Sequence, residues 1–165
     1  MQDYQAFYEK ISGFVMRMPH GVVLLNAFNR FIVIFFVAIY PVAFIYLFFV
    51  DRIRFWLSLS IIGGSFVLVS LLRKLIDSPR PYENWDITPL IAKDKKGQSF
   101  PSRHVFSAAL ISCFIWQLHR GLGAFCFALA ILLALCRVLS GVHYPKDVLA
   151  GYLIGCLAGA LYLII

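Results

Sequence analysis

Residues 31–50 read FIVIFFVAIYPVAFIYLFFV, twenty consecutive positions without a charged side chain. A helix needs about 20 mostly apolar residues to cross the hydrocarbon core of a bilayer, so Phe31–Val50 reads as a membrane span. Working outward, four further segments approach or meet the same requirement: Phe55–Leu72, Pro101–Leu118, Gly121–Ser140 and Val148–Ile165. The Pro101 and Gly121 segments carry charge near one end only, at Arg103 with His104 and at Arg137. Ahead of the first span, Tyr4, Phe7, Tyr8, Ile11, Phe14, Val15 and Met18 recur every three or four residues among charges. That spacing predicts an amphipathic helix on the membrane surface over residues 1–21.

Composition agrees. Hydrophobic residues make up 61% of the 165 and charged ones 14%, against about 25% charged in soluble domains, and mean hydropathy is +0.83. The expectation is an all-α membrane bundle of five transmembrane helices plus the surface helix, forming one domain over 1–165. Asp3, Glu9, Lys10 and Arg17 break up the start of the chain, so no cleaved signal is expected there. Cys113, Cys126, Cys136 and Cys156 lie inside apolar blocks at spacings that fit neither zinc nor disulfides. The polar stretch 78–100, with its prolines and its Lys93-Asp94-Lys95-Lys96 run, is too long for a bare connector, which makes it a functional loop.

Counting the helices up and down sorts the charges onto two faces. Arg73, Lys74, the polar loop, Arg103, His104, Arg137, His143 and Asp147 all fall on one face. Of 15 Lys and Arg residues, Arg52, Arg54 and Arg120 alone fall on the other. Clustered arginines, two histidines and a carboxylate beside a bilayer suit a phosphate. The planar guanidinium donates two hydrogen bonds to phosphate oxygens at once, and Ser102 with the free amides opening the next helix adds donors where the dipole favours an anion. Asp147 follows His143 by four residues, with Pro145 at the first helical position. A carboxylate at that spacing can fix the imidazole tautomer and free the other nitrogen to attack phosphorus, leaving His104 to protonate the departing alkoxide.

Three blocks carry a family resemblance. Arg73-Lys74-Leu75-Ile76-Asp77-Ser78-Pro79-Arg80-Pro81, Pro101-Ser102-Arg103-His104, and Cys136-Arg137 followed by His143 and Asp147 resemble the K-x6-R-P, P-S-G-H and S-R-x5-H-x3-D pattern of the type-2 phosphatidic acid phosphatases. That superfamily shares its site with vanadium haloperoxidases. The resemblance implies His143 as nucleophile, Asp147 as its orienting carboxylate and His104 as acid, with Arg80, Ser102 and Arg137 on the phosphate. It also implies a lipid phosphate or diphosphate as substrate, of the undecaprenyl diphosphate, phosphatidylglycerol phosphate or phosphatidic acid class. The family's bacterial members place this site outside the cytoplasm, the side expected here. No metal or other cofactor is implied, and no nucleic-acid partner.

Departures from the pattern are few. Counting back from Arg80, Arg73 takes the lysine position and Lys74 falls one residue late. Arg103 stands in place of glycine, adding a cation suited to a second phosphate, and Cys136 replaces serine. Six spans are common in the family where five are counted here. His20 and His119 read as interface residues, Tyr82 and Trp85 as interface anchors. Asp77, Glu83 and Asp94 read as solvated carboxylates, and Gly151, Gly155 and Gly159 as a close-packing helix face. The reading from another class is a lipid-phosphate binder or transporter; the His143–Asp147 pair argues against it, since a binder needs cations but no oriented nucleophile.

Overall fold

The computed structural model describes residues 4–92 and 96–163, and every described element is helical. In chain order these are α1 (Tyr4–Arg17), α2 (Gly21–Val50), α3 (Arg52–Ile76), the short α4 (Pro81–Asn84), α5 (Arg103–Leu118), α6 (Arg120–Leu139) and α7 (Pro145–Gly159), with a 3-10 turn over Ala160–Leu163. Lys93, Asp94 and Lys95 of the predicted polar loop lie outside the described residues.

Two of the connections are single residues. Asp51 ends α2, its N–H donating to Leu47 O at 2.8 Å, and opens α3, its Oδ1 accepting from Arg54 N at 3.0 Å. His119 does the same between α5 and α6, donating to Ile115 O at 2.8 Å and accepting from Leu122 N at Nδ1 (3.1 Å). An extended residue whose side chain satisfies a free amide of the next helix both stops one helix and caps its successor. His119, expected at the interface, therefore also serves as a helix cap.

Helix lengths differ from the hydropathy reading. By length and composition, α2, the stretch Arg52–Asn84 that joins α3 to α4, and α6 suffice to cross a membrane. The helices α5 and α7 have 16 and 15 residues: His119 stops α5, and α7 gives way to the 3-10 turn at Ala160. In contrast, α2 starts ten residues before Phe31. Its 30 residues span roughly 45 Å at 1.5 Å each, longer than the ~30 Å hydrocarbon core, so its first turns extend into the polar region. There Asn26 donates to Leu90 O at 2.9 Å.

The central helix is α5. Val105, Phe106, Ala109, Leu110, Phe114 and Ile115 are buried on it, flanked by α6 and α7. Outward apolar side chains such as Val37, Phe49, Ile53 and Leu75 are exposed, as a bilayer solvent requires. The glycine face predicted on α7 meets α5 backbone directly: a Cβ on Gly151 would lie 2.6 Å from Ser102 O, and one on Gly155 2.6 Å from Phe106 O. The amphipathic α1 forms as expected, but it buries Tyr8, Ser12 and Val15 against the bundle. Tyr8 donates to Thr88 O at 3.1 Å and its ring covers Gly141, whose φ of +72° and lack of space both exclude a side chain.

Candidate active site

The last turn of α3 presents Arg73 inward and Lys74 outward, as the 100° step of a helix requires of neighbours. Arg73 is buried, and its guanidinium donates to the carbonyls of Gln98, Ser99 and Pro101. It thereby clamps the strand of loop that leads through a cis Phe100–Pro101 peptide into α5. Asp77 ends α3 in the left-handed conformation and accepts from Gln98 N at 3.2 Å. Glu83 accepts from Arg80 N at 2.7 Å and from Gly97 N at 2.9 Å. Two carboxylates expected to be merely solvated therefore hold the loop, while Asp94 is outside the described residues.

Arg80 is buried too. Its Nε donates to Gly97 O at 3.1 Å and its Nη1 contacts Val142 O at 3.4 Å, joining this loop to the one between α6 and α7. The same local device opens α4 and α7: a proline at the first helical position and an acid two residues on that accepts from the amide before the proline. In α7 that acid is Asp147, whose Oδ2 accepts from Tyr144 N at 3.0 Å. Its carbonyl accepts from Ser102 N at 2.9 Å, fixing the start of α7 against the start of α5.

His143 and Asp147 come together as their spacing implied, with Nδ1 3.6 Å from Asp147 Oδ2 and both side chains buried. A third group joins them. Ser99 Oγ donates to Asp147 Oδ2 at 2.5 Å and lies 3.3 Å from His143 Nδ1. A hydroxyl has one proton, and Asp147 takes it, so both groups facing Nδ1 are acceptors. Nδ1 therefore carries the imidazole proton, and Nε2 keeps its lone pair. Burial pushes the His143 pKa down to about 4; Asp147 opposes this, while the nearby Arg80 and Arg137 add to it. At neutral pH the ring is uncharged and its Nε2 carries no proton.

Cations and donors surround it. Arg137, from the last turn of α6, is buried, and Ser102 is fully so. Among the described residues Arg73 Nε, Arg137 Nε and Ser102 Oγ have no hydrogen-bond partner. Native proteins rarely leave buried donors unanswered, so the Arg137 and Ser102 donors are open to an anion. Arg103 and His104 stand to one side, on the wall of a cavity of about 310 Å³ shared with Ser107, Val33, Tyr40 and Leu133. Lys74 is exposed and away from the cluster. Among the described residues no group of three or more His, Cys, Asp or Glu side chains could hold a metal ion.

Ser99 was not anticipated. Its one signal was position, a hydroxyl three residues ahead of Ser102, and no helical or strand period singles it out. Trp85, read as an interface anchor, packs against Tyr4 at 6.2 Å between ring centroids.

A neutral, oriented histidine ringed by buried arginines in an all-helical membrane bundle defines a membrane phosphatase. Comparison with known proteins gives the family. Residues 54–165 match the PAP2 superfamily, and the chain belongs to that superfamily. The crystal structure of Aquifex aeolicus LpxE superposes with a TM-score of 0.73 at 27% identity, over 100% of this chain and 99% of that one. The first transmembrane PAP2-type phosphatidylglycerolphosphate phosphatase from Bacillus subtilis gives 0.71 at 26%, over 98% and 85%. The bacitracin transport permease protein BcrC of Bacillus licheniformis is 34% identical over 98 residues, covering 57% of this chain and 48% of that relative, so the match spans about half of its length.

Proposed function

We propose that this protein hydrolyses a lipid phosphate or diphosphate through a phosphohistidine at His143, without a metal. The observation that carries this reading is the Ser99–Asp147–His143 chain, which engages Nδ1 and leaves Nε2 its lone pair, in a cluster that also holds buried donors without partners. Nε2 attacks phosphorus in line. Arg80, Arg137 and Ser102 hold the equatorial oxygens and stabilise the charge that spreads over them in the transition state. Arg73 acts from behind, holding the loop that delivers Ser99 and Ser102. His104 gives a proton to a departing lipid alkoxide, and water then hydrolyses the phosphohistidine.

The substrate class is the one the family resemblance implies, undecaprenyl diphosphate, phosphatidylglycerol phosphate or phosphatidic acid, and one solved relative is a phosphatidylglycerolphosphate phosphatase. In this reading the site faces away from the cytoplasm, so a cysteine introduced at exposed Asp86 should take an impermeant label on intact cells, and no labelling before lysis would refute that face. The central test is acid-quenched labelling of purified protein with radioactive lipid phosphate in excess EDTA. Label on wild type and none on His143→Asn is expected. Activity lost in EDTA and restored by a divalent ion would overturn the mechanism.

A further inference from the structure

Arg103 stands where the family block has glycine, yet its backbone is the ordinary first turn of α5, so no left-handed geometry is lost. What the residue adds is a guanidinium at the edge of a largely apolar cavity that Arg103 lines together with Val33, Tyr40, Leu133, His104 and Ser107. The guanidinium carbon lies 5.4 Å above the Phe66 ring. Its Nε is buried without a hydrogen-bond partner, and no carboxylate among the described residues forms an ion pair with it. The carboxylates nearest the site are engaged elsewhere, Asp77 with Gln98, Glu83 with Arg80 and Gly97, and Asp147 with Ser99 and Tyr144. A cation in such surroundings costs free energy until an anion answers it.

Its position says which anion. In the phosphatase reading His104 serves the leaving group, so the cavity wall that His104 shares with Arg103 is the leaving-group side. An alkoxide departing there asks for a proton; a phosphate departing there asks for a positive charge. We infer that Arg103 holds the second phosphate of a lipid diphosphate, making lipid diphosphates the preferred substrate class; this rests on the phosphatase reading above. In the step, Nε2 forms the N–P bond as the bond from the terminal phosphorus to the bridging oxygen breaks. The electron pair stays on that oxygen, which becomes a terminal oxygen of the lipid monophosphate. Because such a phosphate has its second pKa near 6, it leaves at neutral pH without a proton, its charge matched by Arg103. Water then cleaves the N–P bond, releasing inorganic phosphate and regenerating neutral His143.

Farnesyl diphosphate and farnesyl monophosphate differ in the second phosphate alone, and phosphate release from each in detergent micelles tests the assignment. Wild type should favour the diphosphate in kcat/KM. Arg103→Gln should lower the diphosphate-to-monophosphate ratio at least about tenfold, as expected for a lost charge-assisted hydrogen bond, and Arg103→Lys should lower it less. Residual turnover of the monophosphate reports that each variant is folded. A wild-type preference for the monophosphate, or an unchanged ratio in Arg103→Gln, overturns the role of Arg103 and leaves the phosphatase reading standing. Turnover of both substrates by His143→Asn at the wild-type rate overturns the phosphatase reading itself.

Discussion

Gly151→Ala probes how tightly the site depends on the contact between α5 and α7. The added methyl carbon would sit 2.6 Å from Ser102 O and 3.3 Å from the amide nitrogens of Ser102 and Phe106. All three are backbone atoms, so no side-chain rotation relieves the contact. Reaching the 3.4 Å of ordinary contact requires the helices to part by about 0.8 Å. One turn earlier on α7, Asp147 O accepts from Ser102 N at 2.9 Å. The same parting stretches that bond to about 3.7 Å, beyond hydrogen-bond range, and carries Asp147 and His143 away from Ser102 together. A displacement near 1 Å in a reacting geometry costs on the order of 100-fold, so kcat should fall at least about 30-fold. Overpacking should also lower stability by about 1–3 kcal/mol. Phosphate release and thermal unfolding of the same detergent-purified sample read both effects. Gly155→Ala makes an equal wedge, 2.6 Å from Phe106 O, but one turn farther from Asp147; it should lose similar stability and less kcat. Gly64→Ala, with nothing within 4 Å of the new carbon, should change neither. Wild-type kcat in Gly151→Ala, or an equal kcat loss in Gly155→Ala, would refute the link between helix contact and site alignment.

Three further outcomes are expected. With His143 held down to about 4 by burial, kcat/KM should hold from pH 7 to about pH 5, and an acid limb centred on the ordinary imidazole value of about 6.5 that vanishes in no other variant would contradict the assignment. The same shift makes the unfolded chain bind more protons between those two values, so stability should fall as pH drops from 6.5 towards 4; in unfolding scans His143→Asn should flatten that slope. Arg73→Ala frees the loop that delivers Ser99 and Ser102, and because a displacement near 1 Å costs on the order of 100-fold kcat should fall about a hundredfold, whereas exposed Lys74→Ala should stay within about tenfold; steady-state kinetics showing the reverse order would shift the register by one residue. Ser99→Ala removes a hydrogen bond to a buried carboxylate worth about 1.5–3 kcal/mol, so kcat/KM should drop at least about tenfold, and the change should add little to Asp147→Asn if the two act as one unit.

Long apolar runs made the helices legible, because a span must satisfy its own backbone and leaves an unbroken hydropathy signal. Their limits were less so. Asn26, Asn29 and Arg30 hid the first turns of α2, which are helical through backbone continuity and an asparagine bond to Leu90 O that no local pattern predicts. His143 and Asp147 were readable because Pro145 marks the first turn of α7, whose third residue can fold its carboxylate back onto the residues just before the helix. Ser99 was not, since it reaches Asp147 through a loop whose path is set by Arg73, Asp77 and Glu83 acting on backbone groups. The resemblance named Arg73 as a position without disclosing that its partners are carbonyls.

The docking of α1 also orders events during synthesis. Tyr8 bonds Thr88 O, but the ring of Tyr4 packs edge-on against Tyr144 at 4.7 Å, a residue made roughly 140 positions later. At about 5–20 residues per second, the ribosome needs roughly 7–30 s to bring that partner out. Through that interval α1 has the membrane surface to rest on, and its closure over the α6–α7 loop coincides with the arrival of His143 beside Tyr144. A fusion placed ahead of α1 would be carried to the rim of the finished site.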